Sequence, residues 1–313
     1  MVGIRHLVIE VANLNRAAAF YREILGFETA PDVRAIDCGP SVTLDAPSGQ
    51  SLVLAQSAEP RSLPDTGVHQ AYRVAPHDRA AIGRELAARG IDVHTYKEDR
   101  PAEEADNFYF YDLDGNRVQL VDAGDHAGES GKVLAIDHAA IECHDLEWAE
   151  DFYVNLLGLT VGHRVGWRTA DYVRASLWGE GKEHMAPGTR RWDQRYTVTE
   201  QKRRIPRPNT HFFVGVGDGV LGIYLATQHR QEPREEQIVG TPRIGMQMSR
   251  RRLDDTLAHF TQRRWPVHGP VAHPASSSLA TSVYVRDPGA NFLELCIPRQ
   301  EGTSTVGGRN VQA

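Results

Sequence analysis

Leu134–Leu159, LAIDHAAIECHDLEWAEDFYVNLLGL, reads as a strand, a short polar turn and an amphipathic helix that stops at a glycine. The same pattern opens the chain, where Met1–Phe27 reads MVGIRHLVIEVANLNRAAAFYREILGF. His6 stands where His138 stands, Leu14 where Leu146 does, Phe20-Tyr21 where Phe152-Tyr153 do, and Gly26 where Gly158 does. Each pair is 132 positions apart. A repeat at such a distance means that the chain is assembled from copies of one supersecondary unit, and every other segment is read against that unit.

In the first copy, residues 4–11 alternate as a strand, with His6, Val8 and Glu10 on one face. Asn13 or Asn15 can cap the helix that follows, and Gly26 ends it. Residues 33–56 read as three short strands broken at Gly39-Pro40 and Ala46–Gly49. A second unit starts near Val68 with the strand VHQAYRV and the helix HDRAAIGRELAARG, then three strands ending in NFYFYDLDGNRVQLVD. Residues 123–133 form a polar, glycine-bearing linker. The third unit carries an insertion over 179–209 and then the hairpin HFFVGVGDGVLGIYLAT, with GDG as its turn. The fourth runs from Pro242 through PRIGMQM, RRLDDTLAHFTQRR and a closing hairpin. Asp112–Leu120, DLDGNRVQL, matches Asp287–Leu295, DPGANFLEL, at an offset of 175. The fold expected is α+β, four βαβββ modules making two cupped, mixed-sheet domains. The expected N-terminal domain is 1–123, the C-terminal domain 133–298, and 299–313 a disordered tail.

Composition sets bounds. A net charge of -6 gives no electrostatic reason to expect nucleic acid. Cys38, Cys143 and Cys296 lie far apart without CxxC spacing, which fits a reducing cytoplasm better than a disulfide scaffold or a zinc knuckle. No long apolar run resembles a signal peptide or a membrane span.

The four units, the helices AFYREILGF and DFYVNLLGL, and the ending DPGANFLEL resemble the vicinal oxygen chelate superfamily of glyoxalases, fosfomycin-resistance proteins and extradiol dioxygenases. The likeness spans about residues 4–298, and at this length it is most similar to the two-domain extradiol enzymes. It implies a catechol-type aromatic substrate and O2, Fe(II) or Mn(II) in the C-terminal cup, and a homo-oligomer. Carried over by position, His138 is a metal ligand and Glu294 the carboxylate. The second histidine is missing, because its position falls on Gly245. Tyr284, ten residues before Glu294, takes the place of the tyrosine that hydrogen-bonds the bound catecholate. His273 and His229 resemble the histidines that move protons.

A rival set lies in the N-terminal half, where His6 and His69 hold first-strand positions and Gln119 the carboxylate position. Gln119 follows His69 by 50 residues and Glu294 follows Gly245 by 49. Gln119 brings an oxygen but no charge, which favours Lewis-acid chemistry and weakens the hold on hard cations. If units pair across the two halves, His69, Gln119 and His138 come together instead. A lone strand histidine is ordinarily a packed or surface residue, but two at matching repeat positions rise above that expectation. Three functions follow: extradiol ring cleavage, a non-oxidative glyoxalase-type isomerase or lyase, or a metal-free aromatic-ligand or resistance protein. In the insertion, Arg190, Arg191, Arg195, Arg203 and Arg204 with Trp192 and Tyr196 read first as a solvated loop and second as a cover for the cup.

Overall fold

The computed structural model describes residues 3–30, 38–61, 67–94, 107–123, 132–165, 211–226 and 236–299. The insertion at 179–209 and His229 lie outside them.

The first unit is β1 (Gly3–Val11), α1 (Leu14–Leu25), β2 (Glu28–Thr29), β3 (Ser41–Asp45) and β4 (Ser51–Gln56). The Asn13 side chain caps α1 by accepting from Arg16 N at 2.9 Å, and Gly26 closes it at φ 79°. The second unit is β5 (His69–Val74), α2 (Pro76–Ala88), β6 (Asn107–Tyr111) and β7 (Arg117–Asp122). The third has β8 (Val133–Cys143), a helix α3 (Leu146–Glu150) that widens to π pitch over Asp151–Leu156, β9 (Thr160–Val165), β10 (His211–Val216) and β11 (Gly219–Leu225). Asp145 caps α3 as Asn13 caps α1, accepting from Trp148 N at 2.9 Å. The fourth is β12 (Arg243–Gln247), α4 (Arg250–Arg263), β13 (Val267–Ala272), β14 (Leu279–Arg286) and β15 (Phe292–Pro298). No helix among the described residues is long and apolar enough to cross a membrane.

The strands form two mixed sheets. One runs β13-β14-β15-β12-β1-β4-β3-β2 and the other β6-β7-β5-β8-β11-β10-β9. The expected α+β architecture of four modules and two sheets holds, but the division into cups at 1–123 and 133–298 does not describe the sheets. The first unit shares a sheet with the fourth, and the second with the third. The polar stretch after Ala123 therefore links two halves of one sheet rather than two separate cups.

First strands meet at each seam, where close approach decides the pairing. β1 runs antiparallel to β12 with His6 opposite Gly245, and β5 antiparallel to β8 with Ala71 opposite His138 and His69 opposite Ala140. Gly245 is required by its neighbour, since a Cβ there would lie 2.1 Å from the His6 ring. The position where a ligating histidine was sought is the floor on which another histidine rests.

The repeat also ties one sheet to the other. Tyr21 on α1 donates to Asp112 Oδ2 at 2.9 Å, and its repeat mate Tyr153 donates to Asp287 Oδ2 at 2.7 Å. Each aspartate also receives the backbone N–H and side-chain amide of an asparagine, Asn116 or Asn291. Those asparagines reach on to the backbone carbonyls of Glu10 and Glu142. Tyr153→Phe should therefore cost about 1–3 kcal/mol, because it strips a donor from a buried carboxylate. Urea denaturation measures this, and a change within about 0.5 kcal/mol of zero would refute the clamp.

Candidate functional site

The cup of the second and third units gathers two imidazoles and an amide. Side chains alternate along a strand, so His138, Ala140 and Glu142 share one face of β8, and Arg117 and Gln119 one face of β7. His69 Nε2 lies 2.9 Å from His138 Nε2, with the rings nearly perpendicular at 85°. His69 Nδ1 faces the Gly67 carbonyl at 2.7 Å, and a carbonyl only accepts, so Nδ1 is the donor. His138 Nδ1 likewise donates to Asp137 Oδ2 at 2.5 Å, while Arg73 Nε holds Asp137 Oδ1 at 2.6 Å.

With both Nδ1 atoms donating, neutral rings turn two lone pairs toward one point. Only a cation, a proton or a metal ion, reconciles two such nitrogens at that distance. Burial, the His138 charge and Arg117 push the His69 pKa well below its ordinary value, with the Gly67 carbonyl and Gln119 only partly offsetting them. His69 therefore stays a neutral donor ring. The Gln119 carbonyl Oε1 is buried facing His69, without a well-aligned hydrogen bond to it. Among the described residues no three or more His, Cys, Asp or Glu side chains gather as a metal cluster. The convergence here is two nitrogens and one neutral oxygen, a donor set that fits a borderline divalent ion.

Aromatic rings wall this cup. His69 packs edge-on to Tyr109 at 5.6 Å and to Tyr224 at 6.1 Å. His138 meets Phe213 at 6.4 Å, and His211 stacks on Tyr224 at 4.3 Å. The Arg117 guanidinium lies 4.5 Å over the Tyr109 ring. Gly222 lets Phe213 and Tyr224 close in, since a Cβ there would come within 2.8 Å of Phe213.

The cup of the first and fourth units is filled differently. His6 Nε2 sits 3.2 Å and Arg243 Nε 3.1 Å from Glu294 Oε2, all three residues fully buried. Ser282 Oγ donates to Glu294 Oε1 at 2.6 Å, and His273 Nε2 meets Ser282 Oγ at 2.8 Å. Arg243 also lies 4.9 Å over the Tyr284 ring. A guanidinium thus stands against the carboxylate where the family resemblance would put a metal ion. Burial alone would raise the Glu294 carboxyl, but His6, Arg243 and Ser282 outweigh it and bring it down to about 2. A carboxylate depressed on folding stabilises the protein above its unfolded pKa, and that contribution vanishes as pH falls through the folded value. Stability should therefore drop by about 3 kcal/mol between roughly pH 4.5 and pH 2 on account of this group. Glu294→Gln should flatten that part of a pH–denaturation profile, and an unchanged profile would refute the assignment.

Cross-pairing corrects the ligand sets. His138 and Glu294, expected in one C-terminal cup, are on different sheets. His6 is likewise parted from His69 and Gln119. His6, Glu294, His273 and Tyr284 share one cup, and His69, Gln119 and His138 the other. Arg243, Asp137, Glu142 and Tyr224 were not singled out from the sequence; His211, a strand histidine read as able to stand in for the missing ligand, lies in the second cup on Tyr224. Period-two alternation alone places Glu142 on the His138 face, and the 132-residue repeat pairs it with Glu10. Nothing in the sequence marks Arg243 as the partner of Glu294.

Residues 3–120 match the family model described as the Glyoxalase/Bleomycin resistance protein/Dioxygenase superfamily. The match covers the first and second units, and the two-sheet fold built from four units is consistent with it. Among solved structures it is similar to a Bacillus subtilis strain 168 protein described as a candidate dioxygenase. The TM-score is 0.60 at 14% identity over 95% of this chain and 85% of that one. It is also similar to glyoxalase I from Zea mays, with a TM-score of 0.55 at 14% identity over 95% and 92% of the respective chains. At such identity the likeness is one of fold. A search of curated proteins finds no match.

Proposed function

We propose that the chain is a metal-dependent enzyme working from the cup of its second and third units, where it holds a small planar substrate through two adjacent oxygens for non-oxidative, glyoxalase-type isomerase or lyase chemistry. The observation that carries this reading is the 2.9 Å approach of two imidazole nitrogens whose other nitrogens are both committed as donors. His69, His138 and Gln119 would hold the ion, which when bound supplies Lewis acidity toward the substrate oxygens. Asp137 and the Gly67 carbonyl orient the two rings. Tyr109, Phe213 and Tyr224 present apolar faces to a planar substrate and keep water from it. Arg117 adds positive charge on the Gln119 side, which favours a substrate that is, or becomes, anionic.

Gln119 favours this reading over extradiol ring cleavage. A site that activates O2 on non-haem iron ordinarily has two histidines and a carboxylate, and here the carboxylate position holds a neutral amide. Ring cleavage remains the second reading because the walls are aromatic and suit a catechol.

Reloading metal-free protein anaerobically with Fe(II), Mn(II), Co(II), Ni(II) or Zn(II) tests both. The proposal expects one equivalent per chain, and turnover of α-hydroxycarbonyl or hemithioacetal substrates with redox-inert Zn(II) or Ni(II), without oxygen uptake. Oxygen uptake on catechols with Fe(II), giving a yellow ring-opened product, would overturn it in favour of ring cleavage. Failure to bind any ion would remove both and leave metal-free aromatic-ligand binding.

A further inference from the structure

We propose that Glu142 is a positioning residue for His69, acting through Gly67 to hold the imidazole in the tautomer that aims a bare Nε2 at His138. The inference rests on the reading of this cup as the working site, but its geometry stands apart from any metal. Glu142 is buried, and its Oε1 accepts from Gly67 N at 3.1 Å. The same residue's carbonyl accepts from His69 Nδ1 at 2.7 Å, and His69 Nε2 then meets His138 Nε2 at 2.9 Å. Gly67 is thus gripped at its N–H by Glu142 and at its C=O by the ring it orients. The Tyr224 ring fixes it from a third side, since a Cβ on Gly67 would lie 2.5 Å from that ring. The Glu142 bond fixes the peptide plane that carries the Gly67 N–H, and the Tyr224 ring crowds the next plane, so together they limit how far the carbonyl can turn from Nδ1.

The repeat supplies an internal control. Glu10 is the mate of Glu142, and in the other cup it accepts from Thr241 Oγ1 at 2.7 Å and Arg61 N at 2.9 Å. Thr241 precedes Gly245 by four residues, as Gly67 precedes Ala71. Both glutamates therefore tie down the approach to a first strand. Only in the second cup does the tie continue into a histidine that faces another histidine. A purely structural role predicts equal consequences at the two sites, whereas positioning predicts unequal ones.

The full chain with 15N-labelled histidine separates them, read first without metal and then by titration with Zn(II) alone. In wild-type protein His69 should show protonated Nδ1 and unprotonated Nε2. Glu142→Ala should mix the two tautomers and weaken Zn(II) binding about 10–100-fold, the range for residues that orient a ligand. Glu142→Gln keeps an oxygen that can accept from Gly67 N and should restore both readouts. Glu142→Asp shortens the reach while keeping the charge, so it should behave like the alanine variant and serves if that one does not fold. Glu10→Ala should leave the His69 tautomer and Zn(II) affinity as in wild type. An unchanged His69 tautomer in both Glu142→Ala and Glu142→Asp would overturn the proposal, as would an equal shift in Glu10→Ala. If wild-type protein binds no Zn(II), the tautomer arm still decides the role of Glu142.

Discussion

Protein carrying His138→Ala is expected to lose its divalent ion, with affinity falling by well over the ~10–100-fold that outer residues control, while His6→Ala retains it. His138 presents Nε2 to the same point as His69 Nε2, and Asp137 holds its ring in that orientation. Removing it leaves one imidazole and one neutral amide, too few donors to hold a borderline divalent ion. His6 differs, since its Nε2 is spent on a carboxylate that Arg243 also faces. Equilibrium dialysis followed by elemental analysis of both variants decides the matter. Loss of metal from His6→Ala with retention in His138→Ala would move the ion to the cup of the first and fourth units, and His69, His138 and Gln119 would no longer be its ligands.

The contrast between the cups shows how far sequence alone could go. The unit was legible because apolar periodicity, a helix cap and a closing glycine recur 132 residues apart in LVIEV…AFYREILG and AAIEC…DFYVNLLG. The pairing of units was not. It depends on which first strands fit edge to edge, and that turns on contacts such as the His6 ring over Gly245. Read along the sequence, Gly245 is a missing ligand; across the seam, it is the space one histidine needs. The same pairing joined His69, Gln119 and His138, a grouping the sequence permitted only as one of three. Arg243 was invisible for a simple reason. An arginine opening a strand carries no pattern of its own, and its partner lies 51 residues on.

Arg243→Met should destabilise the protein by about 3–5 kcal/mol, among the largest effects of any single change in this cup. Both Arg243 and Glu294 side chains are wholly excluded from solvent. Removing the guanidinium leaves a buried carboxylate with His6 and Ser282 but without its permanent cation, and the carboxyl pKa must rise. Replacing both partners tells more than replacing one. Arg243→Met with Glu294→Gln removes the charge along with its counter-charge, and Ser282 can still donate to an amide oxygen. The double variant should recover a substantial part of the loss, because buried pairs cost about as much to desolvate as they return, whereas a lone buried charge only costs. Urea denaturation of the two single variants and the double gives the coupling directly. An Arg243→Met loss within about 0.5 kcal/mol of zero, or a double variant whose loss is the plain sum of the singles, would mean that Arg243 and Glu294 do not act as a pair. Glu294 would then be available to a metal ion, and this cup would be a second candidate centre. A coupled pair has the opposite consequence: the protein supplies its own cation in that cup, and His69, His138 and Gln119 are left as the proposed donors for a cation from solution.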